Sequence, residues 1–281
     1  MTFNKPILFE EALRIAEGKG IMPTHLGSAE LRQLKAEIRR RAVFSAKLDR
    51  ERVLEVIKRQ VELIAGQDRD EYGRLRSIPE AKAQIKEAMR KAGLPPAPDG
   101  TPEIQDFYSD GRRALIVETS VQDTLGHARW KADQDPVVLD VNPAWELVRM
   151  IEPQGRRRPW PTRWDRALAS TGRPEGATTS KSGRLVALKN HPIWQALGNG
   201  AGGYRDTLGN PWPPFAFNSG MNVIDVSRQD AQSLGLLSSD ETPEPQTDPG
   251  WTAANERPIP RARNRQALFS ALAKRRRRAA A

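Results

Sequence analysis

An α+β, mainly helical fold is predicted from three features of the sequence. Apolar side chains recur at helical spacing through most of the first 132 residues. Strand-like runs appear only later, at 145–151, 185–188 and 221–226. The remaining chain, from about 238, is first acidic and proline-rich and then basic, with little apolar content to bury. The expected layout is a helical N-terminal region at 1–94 and a small mixed α+β domain at 101–237 with its core at 183–226. A disordered acidic linker at 238–256 and a basic tail at 257–281 follow. Of the 281 residues, 38% are hydrophobic and 28% are charged, too lean a mixture for one core running the full length. A segmented molecule is expected.

In the N-terminal region a first helix is expected from about Leu8 to Glu17, ended by Gly18 and Gly20. Ser28 reads as the N-cap of a second helix with Leu31, Leu34 and Ile38 on one stripe. Asp49 reads as the cap of a third, with Val53, Ile57, Val61 and Ile64 in line and Gly66 closing it. A fourth spans about Pro79 to Ala92 and carries Ile85 and Met89; Gly93 followed by Leu94-Pro95-Pro96 is a helix stop. The Arg39-Arg40-Arg41 run is either a solvated face or a contact with nucleic acid or protein.

Pro95 to Gly100 reads as a linker. Asp110 then reads as the cap of a long helix from Arg112 to about Ala132, on which Leu115, Thr119, Gln122, Gly126 and Trp130 fall roughly in line. A stripe that is only half apolar implies close packing against another backbone. Gln134-Asp135-Pro136 ends that helix, and Trp145 to Ile151 alternates as a strand does. Trp160 and Trp164 stand four residues apart in a basic segment, as core or as interface residues. Residues 171–182 are small and polar and read as mobile. Within Gly183 to Val226 a short strand, a His-Pro turn and a helix around Ile193, Trp194 and Leu197 lead into a loop thick with Gly, Asn and Pro. That density means specified turns and close backbone approaches, although GNGAGGY at 198–204 by itself reads as flexible. Ser227 and Asp230 signal the cap of a short last helix that Gly235 ends.

Chemistry is constrained mostly by exclusion. Cysteine is absent and there are three histidines, so disulfides and thiol nucleophiles are impossible and no metal or other cofactor is expected. No run of ~18 apolar residues suggests a membrane anchor, and acidic residues stand where a signal peptide needs its apolar centre. The net charge of +10 favours acidic partners, nucleic acid first. It is concentrated after Trp251. There Arg257, Arg261, Arg263, Arg265, Lys274, Arg275, Arg276, Arg277 and Arg278 face one acid, Glu256. These nine are the candidate contacts to double-stranded DNA, sequence-independent and through the backbone. A solubilising end, or a short apolar face at Leu268, Phe269 and Leu272 that docks on a membrane or partner, are the other readings. His191 is the best candidate base, with Asp206 or Asp225 to orient it, but a histidine before proline in a tight turn also serves as a hydrogen-bonding strut. No nucleophile elbow or phosphate loop is present.

The segments ALKNHPIW (187–194) and DTLGNPWPPFAFNSGMNVIDV (206–226) resemble the C-terminal domain of phage Mu F-like minor head proteins, also called head morphogenesis proteins. VETSVQDTLGHARWKADQDPVVLDVNPAWELVRM (117–150) and PWPTRWDRA (159–167) are similar to the segments preceding that domain, so the likeness covers roughly 40–237. Many members carry Cys-x-Cys where this chain has Ser219 and Met221, which rules out any cysteine-dependent bond or metal there. The resemblance implies a virion protein of the phage head, assembled in the bacterial cytoplasm. Its partners would be the portal and/or major capsid protein, and its role would lie in head assembly and DNA packaging or ejection. No catalytic residues follow from it. On this reading His191, Trp194, Asn210, Pro213, Pro214, Phe215, Phe217 and Asn218 form the structural motif of a docking domain. An enzyme acting on nucleic acid through His191, or an adaptor contacting only protein, are the alternatives.

Overall fold

Helix outweighs strand in the computed structural model, which describes residues 7–34, 36–67, 75–151, 158–217 and 219–248. The predicted α+β, mainly helical class is the class observed. Two compact units emerge, one running to Leu125 and one from Gly126 to Pro249.

The first unit is built from helices whose apolar stripes were periodic in the sequence. Helix α1 (Ile7–Gly18) packs on α4 (Glu51–Ala65), and α4 on α5 (Ile78–Lys91). Val53, Ile57 and Val61 are buried along α4 at successive turns, as that spacing requires. Ser77 caps α5: its hydroxyl accepts from Glu80 N–H, while the Glu80 carboxylate accepts from Ser77 N–H at 2.9 Å. Two expected caps differ. Gly27, not Ser28, is the N-cap of α2 (Ser28–Arg32), with the Glu30 side chain accepting from its N–H. Arg50, not Asp49, precedes α4; Asp49 instead pairs with His25 and Arg50. The expected second helix is two short ones, α2 and α3 (Ala36–Arg40), yet Leu31, Leu34 and Ile38 share one buried cluster with Met22 and Leu26. Strands β1 (Gly20–Ile21) and β2 (Ala42–Val43) pair in parallel beside them.

Helix α6 (Asp110–Ala132) has a different buried face from the one its sequence suggested. In the first unit its inward side chains are Arg113, Ile116, Val117 and Val121, not Leu115, Thr119 and Gln122. Arg113 is tolerated inside because its guanidinium donates to the Lys82 and Tyr108 carbonyls and to Asp110.

In the second unit a three-stranded antiparallel sheet has the order β4 (Val186–Leu188), β3 (Ala144–Arg149), β5 (Met221–Val226). Trp145 lies opposite both Ala187 and Asp225, which fixes the register. One face, carrying Trp145, Leu147, Ala187 and Val223, packs under α8 (Trp160–Thr171) and α9 (Ile193–Asn199). Trp160, Trp164, Trp194, Trp212 and Phe215 fill that side. Each such ring removes on the order of 150–250 Å² from water, enough to hold a domain with so short a sheet. The opposite face, with Ala144, Val186, Leu188 and Val226, is covered by Ala231 of α10 (Arg228–Ser233) and by Leu236 and Leu237. Helix α7 (Pro136–Val141), capped by the Asp135 side chain, links α6 to β3.

The outer edge of β5 closes itself. Met221 N–H donates to Ser219 Oγ, Val223 N–H to Asn222 Oδ1, and Val223 C=O accepts from Arg129 Nη1. Edge groups satisfied by the chain's own side chains leave little to template another strand.

Two segments expected to be free are held. Thr178, within 171–182, donates its N–H to Val186 C=O and accepts Trp164 Nε1–H on its own carbonyl, while Ser180 bonds the Asp165 carboxylate. The first part of the predicted linker is strapped across the second unit. Arg228 holds Glu241 C=O and Thr242, Gln246 bonds Gln134 and Asn190 C=O, and both Asp248 oxygens lie 3.1 Å from His127 Nε2. Acidity kept this segment from building a core; it did not prevent polar bonds to the side chains around it.

Candidate functional site

The residues expected to mark the site, within 183–226, form the interior of the second unit. His191, Trp194, Asn210, Pro213, Pro214 and Phe215 are buried and Phe217 is half-buried; Asn218 lies outside the described residues. The buried ones shape the domain from inside.

The sequence dictates this knot through close backbone contacts. At Gly198, in the last turn of α9, a Cβ would stand 1.7 Å from the Asn210 carbonyl oxygen, and at Gly126, on α6, 1.9 Å from that of Pro213. The Asn210–Phe215 turn is thus pressed between two helices at points that only glycine permits. Two positions of GNGAGGY are specified: Gly200 takes the left-handed conformation that ends α9, and Gly202 sits against Ala167 N. Trp212, inside the turn, stacks on His127 with ring centroids 4.0 Å apart.

His191 is a strut. Its Nδ1 accepts from Ile193 N–H at 3.0 Å, so the proton is on Nε2, which donates to Arg173 C=O at 2.9 Å. With both nitrogens engaged and 2% exposure, the ring has no lone pair free to act as a base. Neither suggested orienting acid is bonded to it. Asp206 takes Arg163 Nη2 at 2.7 Å and Arg158 Nε at 2.9 Å; burial opposes its ionisation, but the two guanidinium groups outweigh that and hold its carboxyl below the usual range. Asp225 belongs to another network.

Burial holds the His191 pKa below the ordinary imidazole value. The unfolded chain therefore binds a proton there before the native one does. The His191 contribution to native stability is full above about pH 6.5 and falls as pH drops below it. Urea midpoints between pH 8 and 5.5 are expected to fall further for the wild type than for His191→Gln, and parallel curves for the two would refute the assignment.

Sequence reasoning missed Lys189, which ends the apolar run Leu185–Leu188. Its ammonium is fully buried between Asp133 Oδ1 at 3.0 Å and Asp225 Oδ1 at 2.9 Å. The only signal available was a lysine directly after three residues of buried strand. A cavity of about 440 Å³ in this unit lies elsewhere, lined by Leu168, Ala169, Arg173, Pro174 and Lys181.

Among the described residues no cluster of acids and histidines has the makings of a metal site, and no helix is long and apolar enough to cross a membrane. Arg257, Arg261, Arg263, Arg265, Lys274, Arg275, Arg276, Arg277 and Arg278, the expected DNA contacts, all lie outside the described residues. Compared with protein families, with curated proteins and with solved structures, the chain matches none.

Proposed function

We propose that this chain is a minor capsid, or head morphogenesis, protein of a phage or prophage. Its second unit docks at the portal or the inner capsid, and its basic end engages packaged double-stranded DNA without sequence preference. The reading is supported by the charge layout. A compact unit ends in an acidic strap fixed as far as Asp248, and nine cations follow between Arg257 and Arg278. Such a run needs no base readout where DNA is concentrated, because each phosphate it neutralises releases counterions. The Mu F-like resemblance of 187–194 and 206–226 supplies the virion context. His191 gives an enzyme reading no support, since its ring nitrogens are both committed to the fold.

DNA retention by the full chain and by a chain ending before Arg257 tests the proposal at two salt concentrations. Six to ten phosphate contacts imply a loss of roughly 10³-fold or more between 50 and 200 mM salt. The full chain is expected to show that loss and the shortened chain to bind little at either salt. Equal retention by both sinks the DNA role. Capture of a portal protein without salt-sensitive DNA retention would establish an adaptor that contacts only protein.

A further inference from the structure

The cage around Lys189 brings together the parts of a condensation reaction. The amine is inaccessible to solvent, and its nitrogen lies 3.0 Å from Asp133 Oδ1, whose side chain is 9% exposed. The other oxygen of that carboxyl, Oδ2, accepts from Trp145 Nε1–H at 3.1 Å and Arg129 Nε–H at 3.4 Å. A second carboxylate, Asp225, stands 2.9 Å from the same amine through Oδ1, and its Oδ2 is held by Arg129 Nη2 at 3.1 Å. Nucleophile, electrophile, donors for a developing oxyanion and a proton relay are thus fixed by four different stretches of chain.

We propose that Lys189 and Asp133 condense to an intramolecular amide in the folded protein. Within the 3.0 Å contact a proton passes from the ammonium to Asp133 Oδ1, leaving a neutral amine beside a neutral acid. The Nζ lone pair then forms the C–N bond to Asp133 Cγ, and the negative charge gathers on Oδ2 beneath Trp145 and Arg129. Asp225 takes a proton from the nitrogen and delivers it to Oδ1. The C–Oδ1 bond breaks with its electron pair, and one water leaves. Ammonium and carboxylate are consumed, amide and water are formed, and nothing is oxidised or reduced. Asp133 is the electrophile, not Asp225, because Asp225 is 41% exposed and a single arginine steadies its outer oxygen. Afterwards Arg129 and Asp225 remain as a neutral pair. Fixed placement of this kind stands in for high reactant concentration, and exclusion of water protects the product from hydrolysis.

The intact mass of the full chain, measured after unfolding in denaturant, decides the matter. Wild type is expected to weigh one water less than its sequence, and its digest to contain a branched peptide joining the Asp133 and Lys189 segments. Lys189→Met is expected to keep its full mass, and Asp225→Asn, which leaves both reacting groups in place, to show the lighter species at a several-fold lower fraction. A cooperatively folded wild type of unmodified mass overturns the proposal, as does water loss that persists in Lys189→Met. If Lys189→Met does not fold, absence of the branched peptide from wild type is equally decisive.

Discussion

Gly198→Ala and Gly126→Ala are each expected to destabilise the second unit by about 3 kcal/mol or more, against the sign that helix propensity alone would give. In an unobstructed helix interior, alanine is favoured over glycine by roughly 1 kcal/mol. Here the added methyl would meet a carbonyl oxygen at 1.7 Å from Asn210 in the first case and at 1.9 Å from Pro213 in the second. Backbone cannot rotate away as a side chain can, and Gly209 N–H already donates to Gly198 C=O at 2.6 Å, so the turn has no slack on that side. Relief requires separating a helix from the turn that carries Trp212 and Phe215, losing close-packed aromatic area. Gly183→Ala is the internal control. Its φ of 78° strains alanine, but nothing lies within 4 Å of the new carbon, so a loss of only about 1 kcal/mol is expected. Urea unfolding of the three variants measures the difference. Equal, small losses throughout would mean that the turn is not clamped between α6 and α9.

Those two glycines also mark how far the sequence could be read. The density of Gly, Asn and Pro in 183–226 correctly implied close backbone approaches, because no other residue chemistry requires them. Which glycine meets which carbonyl depends on contacts between residues far apart in the chain. Periodic stripes were legible for the same local reason: Val53, Ile57 and Val61 share a helix face whatever lies opposite. Alternation placed β3, and Trp160 and Trp164 proved to be core. Of the stripe read on α6, Gly126 and Trp130 lie where expected, while Leu115, Thr119 and Gln122 do not, because one continuous helix contributes to two units. The first unit takes Ile116, Val117 and Val121, and the second takes His127, Ala128 and Trp130, so no single line describes both. Segment 238–248 was misread because composition reports what a chain cannot bury, not which carbonyls and carboxylates its neighbours can hold. Lys189 was invisible for a related reason: Asp133, one of the charges that permit its burial, is 56 positions away.

Relative to a chain with the free Lys189–Asp133 ion pair, Lys189→Met is expected to cost about 3–5 kcal/mol, and adding Asp133→Asn to recover a large part of it. Before any condensation the cage holds two positive groups, Lys189 and Arg129, and two negative ones, Asp133 and Asp225. Removing the ammonium alone leaves the buried Asp133 carboxylate and the partly exposed Asp225 carboxylate facing one guanidinium. An uncompensated buried charge has a penalty of this size, a drop of roughly 10 °C in Tm for a chain of this length. Converting Asp133 to asparagine restores neutrality with Arg129 and Asp225, and the carboxamide oxygen still accepts from Trp145 Nε1–H, so the buried indole donor keeps its partner. Neither variant has the amine, so the comparison is independent of any amide at Lys189. Methionine fills nearly the volume of the lysine stem beside Trp145, which keeps packing loss small. Charge balance therefore decides the outcome. Chemical unfolding of the single and double variants reads it directly. A double variant no more stable than Lys189→Met would show that the site is held by packing, with its charges as passengers.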